Sequence, residues 1–414
     1  MKVLFIQCEP PQETQDFNFP IGYACLAAVL ERGGHQTQTL YTVAYHLTDE
    51  DIAKAVRDSE ASVFAIGGMF PYLKRIEHLV HMIKAIRPGA KVVIGGSAVT
   101  YCPELAMRKT GADFGIRGEG EVALLKLIDA LDGGQDYSKI PGLCYWQDGH
   151  LLDNGLGELM PLEEIPLPIW EKIPMEYYMR TGWYFAPFTK GHDRIISWLA
   201  SRGCPMKCNF CSSGVTPRYK RVQQVVDELM EIKQRFHPTF LYMTDNLTMG
   251  NRRYCKELFE GFINAKLNLP MHITGRVDIV TKDLLGLLNE AGVKYIFYGV
   301  ECANDEILKW MGKNITVDQI IEAIRLTKEA EIFPMVSIMF GQPQETLKDF
   351  ARSLKIVMLT SDRSWPFSNN AGVNPLLTFP GTRIYQWAIQ NGYIKDDEDY
   401  YNQYFTHGWI NYTR

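Results

Sequence analysis

Three cysteines stand at CxxxCxxC spacing in Cys204-Pro205-Met206-Lys207-Cys208-Asn209-Phe210-Cys211, on a loop that follows the apolar run Ile195–Leu199. Thiolates are soft ligands. Three of them this close can each take a different iron of a [4Fe–4S] cube, which leaves the fourth iron without a protein ligand. An open iron is a place where a small molecule can chelate and receive an electron. The competing chemistry is zinc, whose tetrahedron would need a fourth Cys or His. Ribbons and fingers usually pair one CxxC with a second, and no second pair exists here. Cys8, Cys25, Cys102, Cys144, Cys255 and Cys302 each stand alone and read as mostly buried thiols.

The elements that must hold this loop alternate between strand and helix. Strands are read at Thr239–Thr244, Met271–Thr274, Tyr295–Val300, Met335–Phe340 and Ala371–Leu377, after the one that enters the cysteine loop. Helices are read at Arg221–Arg235, Arg252–Lys266, Lys282–Ala291, Val317–Ala330 and Thr346–Leu359. Six βα units are too few for a closed eight-fold barrel and suit a partial (β/α)6 TIM-type barrel over 191–385. Gly341-Gln342-Pro343-Gln344-Glu345-Thr346 follows the fifth strand, either as a ligand contact or as a plain turn and helix cap.

Residues 1–145 repeat the alternation. Strands are expected at Val3–Ile6, Gln36–Tyr41, Val63–Ile66, Lys91–Ile94 and Asp113–Ile116. Helices are expected at Ile21–Arg32, Asp49–Ser59, Tyr72–Ile86, Pro103–Thr110 and Glu121–Leu131. Continuous apolar runs are the mark of strands buried on both faces, so the pattern predicts an open, parallel, doubly wound Rossmann-like α/β sheet. Ligands of such sheets sit beyond the carboxyl ends of the strands, here Gln7–Pro10, Gly67–Pro71, Gly95–Ala98 and Gly118–Gly120. Glycine there lets a backbone approach a flat ligand, or merely serves the turn. Residues 146–190, with Ile165-Pro166-Leu167-Pro168-Ile169-Trp170, read as a Pro-rich linker. The aromatics Trp183, Tyr184, Phe185 and Phe188 close it. A short aromatic segment, 386–414, ends the chain and either packs down or caps the barrel mouth.

The chain has 414 residues, 46% hydrophobic and 22% charged, enough for two or three ordinary domains. That excludes a disordered tail and a small stapled scaffold. A net charge of -5 offers no basic excess for phosphates, which argues against a nucleic-acid partner. Nine cysteines are too sparse for a disulfide framework. MKVLFIQCEPPQ does not read as a signal peptide. No apolar run approaches the ~18 residues of a membrane span. A soluble cytoplasmic protein with free thiols is the expectation.

From the cysteine motif outward the chain resembles the radical S-adenosylmethionine (SAM) superfamily. Residues 1–145 resemble the cobalamin-binding domain that precedes the radical domain in one branch of it. Matching phrases are Pro20-Ile21-Gly22-Tyr23, Gly95-Gly96-Ser97, Arg117-Gly118-Glu119-Gly120-Glu121, Ile140-Pro141-Gly142-Leu143 and Pro166-Leu167-Pro168. The resemblance is to the cobalamin-dependent radical SAM enzymes, often methyltransferases. It implies a [4Fe–4S] cluster on Cys204, Cys208 and Cys211, with SAM chelating the open iron. It also implies SAM contacts from the strand ends: Thr244 and Asp245 to the amino group, Arg276 to the carboxylate, Glu301 to ribose hydroxyls or the amino group, Ser337 to a ribose oxygen, and the Phe210 backbone to adenine. Arg276 and Glu301 have a rival role, pairing with each other inside the barrel.

For cobalamin the resemblance implies Gln7, Gly67, Gly68, Met69, Phe70, Tyr72, Gly95, Gly96, Ser97, Ala98, Gly118, Glu119 and Gly120. The dimethylbenzimidazole tail would pass Gly95–Ala98. No DxHxxG signature is present, and His35 reads as structural. Met69, Phe70 and Tyr72 are then candidates for an apolar lower face, or for core. The implied reaction is reductive cleavage of SAM to a 5′-deoxyadenosyl radical, hydrogen abstraction from an unactivated carbon, and methyl transfer from methylcobalamin. The implied substrate is a small molecule, a peptide or a protein residue, such as a glutamine of methyl-coenzyme M reductase. The electron donor would be a flavodoxin or ferredoxin. Ring formation or oxidation without methyl transfer is the alternative, and a non-catalytic iron–sulfur or zinc module a further one.

Overall fold

The computed structural model describes residues 1–8, 19–180, 193–212, 215–360 and 371–407. The chain divides into two compact units, Met1–Thr181 and Gly182–Arg414.

The first unit is a seven-stranded sheet. Its strands are β1 (Lys2–Gln7), β2 (Gln36–Leu40), β3 (Val63–Gly67), β4 (Lys91–Gly95), β5 (Phe114–Ile116), β6 (Leu143–Gln147) and β7 (His150–Asp153), in the order β2-β1-β3-β4-β5-β6-β7. The first five are parallel. Val3, Phe5, Val63, Ala65, Val93 and Phe114 pack on Leu124, Leu127 and Ile128 of the helix Glu121–Gly133. The helix Asp49–Asp58 starts where the Thr48 hydroxyl and the Asp51 carboxylate cap each other's backbone N–H groups. The chain reverses direction across the sheet between β1 and β3, the switch point where open sheets form a crevice. Gln7 pairs with Gly67 and Gly67 with Gly95, so three of the sequence-flagged strand ends lie level on one edge.

Two features depart from the sequence reading. The sheet is not wholly parallel, because β6 and β7 form an antiparallel hairpin on its edge. Gln147 pairs with His150, leaving a two-residue turn of Asp148 and Gly149, both at positive φ. That is the Asp-Gly hairpin signal, sitting inside the segment read as a linker. The rest of that segment, as far as residue 180, also folds onto the first unit. Trp170 packs on Phe19, Lys172 pairs with Glu31, and the Tyr178 hydroxyl donates to Gln7 Oε1 at 2.9 Å. Its apolar side chains are large enough to bury without regular periodicity. His35 is structural: it meets the terminal amine of Met1 and Asp129.

The second unit is a six-stranded parallel sheet. Its strands are β8 (Ile195–Trp198), β11 (Phe240–Met243), β12 (Met271–Gly275), β13 (Val293–Glu301), β14 (Phe333–Phe340) and β15 (Ala371–Pro375), neighbours in simple sequence order. The outer strands β8 and β15 do not pair with each other, so this is a half-barrel rather than a closed one. Between β8 and β11, a two-stranded ribbon of β9 (Ser201–Arg202) and β10 (Arg218–Tyr219) pinches the base of the cysteine loop. Helices Val222–Phe236, Arg252–Asn264, Lys282–Glu290, Val317–Glu329 and Leu347–Thr360 connect the strands. One face of the sheet carries Phe240, Tyr295 and Met335, with Tyr242, Phe297 and Phe333 beside them.

A short helix, Asp305–Trp310, and two C-terminal helices, Arg383–Gln390 and Asp397–His407, were not anticipated. Tyr385, Tyr400 and Tyr401 are buried, and Trp387 stacks on Tyr393 at 5.4 Å, so the described part of the aromatic tail packs. The hinge aromatics at 183–188, and Trp409 and Tyr412, lie outside the described residues. Among the described residues no helix is long and apolar enough to cross a membrane.

Candidate functional site

The cysteine loop is bound at both ends and in its middle. At its start, Gly203 has φ +86° and a Cβ there would fall 2.8 Å from the Thr216 carbonyl oxygen, so only glycine fits. Its N–H donates to Asn246 Oδ1 at 3.1 Å, and the Cys204 N–H donates to the Val215 carbonyl. In the middle, Asn209 donates from its backbone to Met311 O at 2.8 Å and from its side chain to Trp310 O at 3.1 Å. Arg383 donates to Lys207 O, and Ile384 N–H to Asn209 O. Cys204 and Cys208 are half-buried and Cys211 is exposed. Burial pushes the first two thiols up, while the Lys313 and Arg276 cations pull both back toward the thiolate.

Three cysteines on one loop, none of them in a disulfide, are the donor set that the implied cube takes. Among the described residues no three His, Cys, Asp or Glu side chains converge on a single ion. A zinc site would require such convergence. A cube does not, because each thiolate binds its own iron.

Glu301, Lys313, Ser337 and Arg276 form one network, with Ser337 mid-strand in β14 rather than at its end. Glu301 closes β13 at φ +69°, just where the β13–β14 register slips by a residue. Such a bulge at a strand end re-aims a side chain. The Glu301 carboxylate takes the Lys313 ammonium on Oε1 at 3.0 Å and the Ser337 hydroxyl on Oε2 at 2.8 Å. The ion-pair side chains are each 7% exposed. Lys313 also donates to Gly299 O, and a Cβ on Gly299 would fall 2.6 Å from Glu301 Oε1. Arg276 forks onto Asp278 at 2.9 Å and donates to Lys313 O at 2.9 Å. The rival pairing of Arg276 with Glu301 is therefore replaced: each has its own partner, and Lys313 joins the two. Nothing in the spacing of Trp310-Met311-Gly312-Lys313 marked that lysine, although a Lys after a glycine at a helix end is a signal of sorts.

The other SAM-assigned residues differ in what they present. Thr244 is half-buried and its hydroxyl donates to Trp198 O at 3.1 Å. Asp245 is turned inward. Its Oδ1 accepts from Ala200 N and the Ser201 hydroxyl, and its Oδ2 is a buried acceptor with no hydrogen-bond partner among the described residues. Burial pushes its carboxyl up to about 6. It thus braces the neck of the cysteine loop, with one oxygen left over. Phe210 is half-buried. The Gly341–Thr346 loop folds as a turn and cap, because Glu345 accepts from Gly341 N and Gln342 N, and Thr346 caps the next helix with Asp349. Among the described residues the buried amide of Gln342 has no hydrogen-bond partner on either atom, a polar signal at a position the sequence named only as part of this loop.

In the first unit the Gly67-Gly68 and Gly95-Gly96 turns lie against each other. Gly68 N–H donates to Gly95 O at 3.1 Å, and a Cβ on Gly96 would meet the Gly68 backbone. The Tyr23 hydroxyl donates to Gly67 O at 2.6 Å and accepts from Gly67 N at 2.9 Å, tying the helix Ile21–Arg32 to the seam. Gly118, at φ +88°, donates to the Thr100 hydroxyl at 3.0 Å. Glu119 and Gly120 are half-buried beside it.

The ends Gln7, Gly67 and Gly95 lie level, and the Gly67 and Gly95 turns carry no side chain that would cover their backbone, which is compatible with the close approach of the implied group. Ser97 and Ala98 do not continue the turn but open the short helix Ser97–Tyr101, with Ala98 buried. Of the proposed lower-face residues, Phe70 is 3% exposed and belongs to the core, Tyr72 is half-buried, and Met69 is 53% exposed.

A glycine-edged, doubly wound unit and a half-barrel bearing a three-cysteine loop define a two-module radical enzyme. The comparisons agree. The radical SAM superfamily profile matches residues 198–357, and the B12 binding domain profile residues 14–128. An uncharacterized methyltransferase of Pyrococcus horikoshii is 28% identical over 400 residues, 95% of this chain and 81% of that protein. Cytidylyl-2-hydroxyethylphosphonate methyltransferase of Streptomyces wedmorensis is 23% identical, covering 95% and 82%. Among solved structures, the methyltransferase TsrM from Kitasatospora setae, with cobalamin and [4Fe–4S] cluster bound, gives a TM-score of 0.76 at 18% identity, covering 94% of this chain and 75% of that one. The cobalamin-dependent radical enzyme OxsB gives 0.79 at 18%, covering 94% and 61%. The chain belongs to the cobalamin-dependent radical SAM enzymes. A [4Fe–4S] cluster and cobalamin are bound in that TsrM structure, and aqua-cobalamin and SAM in that of OxsB.

Proposed function

We propose that this enzyme is a C-methyltransferase acting on an unactivated carbon. The observation that carries this reading is the pairing, on one chain, of an open-cornered cysteine loop braced by buried charges with a glycine seam at a sheet switch point. When bound, the cofactors supply an electron, a carbon radical and a methyl group.

The residues of the chain do the holding. Cys204, Cys208 and Cys211 would bind the cluster as thiolates, with Lys313 and Arg276 offsetting the charge of the first two. Glu301 is already neutralised by Lys313, so it offers SAM acceptor lone pairs, suited to ribose hydroxyls, rather than a free charge for the amino group. Ser337 orients that carboxylate. Thr244 presents its hydroxyl oxygen at the adjacent strand end. In the first unit Gln7, Gly67, Gly68, Gly95, Gly96, Gly118, Glu119 and Gly120 receive cobalamin, with exposed Met69 as the apolar contact. An external donor such as flavodoxin or ferredoxin supplies electrons.

The substrate is a small molecule, a peptide or a protein side chain. A glutamine of methyl-coenzyme M reductase remains one instance. The test is product analysis under anaerobic turnover. Methionine, 5′-deoxyadenosine and S-adenosylhomocysteine formed together support methyl transfer. Anaerobic magnesium-protoporphyrin IX monomethyl ester cyclase of Rubrivivax gelatinosus is 26% identical over 375 residues, which favours ring formation as the second reading. Turnover without S-adenosylhomocysteine would select it.

A further inference from the structure

We propose that Lys313 is a positioning residue that holds the SAM-facing carboxylate of Glu301 in register with the cysteine loop. The inference rests on the SAM assignment above.

Three observations carry it. First, Lys313 ends a short strap, Trp310–Lys313, that is fastened to the cysteine loop. Trp310 O and Met311 O both accept from Asn209, which lies between Cys208 and Cys211. The contact is close: at Gly312, φ +75°, a Cβ would fall 2.7 Å from Lys207 O. Second, Lys313 reaches the strand ends with its ammonium and its carbonyl. The ammonium meets Glu301 and Gly299 at the end of β13, and the carbonyl accepts from Arg276 after β12. Third, Glu301 does not hold its place by backbone preference. It sits at φ +69°, where a side-chain-bearing residue is strained and persists only if its surroundings over-determine it. Among the described residues its two carboxylate oxygens are held by Lys313 and Ser337.

A displacement of the cysteine loop is therefore passed through Asn209 and the strap to Lys313, and from there to Glu301 and Arg276. The ammonium lies inside the protein with its counter-charge, where fields are weakly screened. It therefore also bears on the cluster's charge, favouring the more negative, reduced form.

The test uses the full chain, anaerobically reconstituted, in four versions: wild type, Lys313→Met, Glu301→Gln and the double variant. The double variant removes both buried charges and so avoids an unpaired one. Iron content, SAM affinity by calorimetry and the cluster's midpoint potential by EPR-monitored titration are read for each. Lys313→Met is expected to weaken SAM at least tenfold and to lower the midpoint potential. The double variant should bind SAM no more weakly than Glu301→Gln, because Lys313 acts through Glu301. Lys313→Arg, which keeps the cation, should recover most of the potential.

SAM affinity within twofold of wild type in Lys313→Met overturns the proposal, and so does full additivity in the double variant, which would make Lys313 a direct SAM contact. Loss of iron in Lys313→Met that is repaired in the double variant supports it; loss in both overturns it. Wild-type protein that takes up iron but binds no SAM refutes the SAM assignment itself, a result separate from any of these.

Discussion

Replacing Gly96 by alanine should abolish cobalamin binding while leaving the cluster in place. Gly96 has φ 88° and ψ -169°, a region essentially closed to residues with a Cβ, and holding alanine there costs about 1–3 kcal/mol. The added methyl would also press on the carbonyl oxygen of Gly68 and lie 2.9 Å from its amide nitrogen. These are backbone atoms and cannot rotate aside. Opening the seam between the ends of β3 and β4 adds about 1–3 kcal/mol, as overpacking generally does.

Gly34 is the internal control. Its φ of +89° is nearly the same, but nothing lies within 4 Å of its Cβ position. Gly34→Ala should therefore show backbone strain alone, about 1–2 kcal/mol. Thermal melting of the two variants, followed with hydroxocobalamin titration by visible absorbance, separates the effects. Gly34→Ala is expected to bind cobalamin like wild type. Gly96→Ala should melt lower still, stay colourless after desalting and keep wild-type iron content. Equal melting of the two variants, or retained cobalamin in Gly96→Ala, would refute the argument that the seam is a close-packed ligand edge.

Alanine at Cys204, Cys208 or Cys211 should remove the cluster and all SAM cleavage, read as loss of about four irons per chain; retained iron in any one would point to a different ligand set. Glu301→Gln should keep iron but weaken SAM, and it strands the Lys313 charge, so a stability loss of about 3–5 kcal/mol is the ceiling; unchanged SAM affinity rejects the assignment. His272 is buried between Tyr242 and Phe297, and burial lowers its pKa to about 3. Because the unfolded chain takes up that proton first, stability falls as pH drops from about 6.5 toward 3, by about 2 kcal/mol at pH 5. His272→Gln should flatten that limb in melts at pH 7 and pH 5. Asp245 acts oppositely: its raised folded value of about 6 means stability is lost as pH climbs from about 4 to 6, and Asp245→Asn should remove that loss.

Much of the architecture was legible because the signals are local. Apolar runs such as Val3–Ile6 and Val63–Ile66 mark buried strands, and the five central helices of the half-barrel fall within a residue or two of their expected bounds. The cysteine motif is likewise a matter of spacing within eight residues. The β6–β7 hairpin also carried a local signal, Asp148-Gly149, hidden by the irregular composition that follows it.

What the residue order could not disclose is pairing between distant groups. Thr244, Asp245, Arg276, Glu301 and Ser337 were all placed at strand ends from sequence, but the chain brings Lys313 between two of them and turns Asp245 into the neck of the cysteine loop. Those choices depend on which buried charge finds which counter-charge, and burial makes an unpaired charge too costly to leave. In the same way, Met69 and Phe70 are adjacent and both apolar, yet one faces solvent and the other the core. The direction of a side chain leaving a strand end is set by the turn it enters, and that turn is settled only when the neighbouring glycines close against each other.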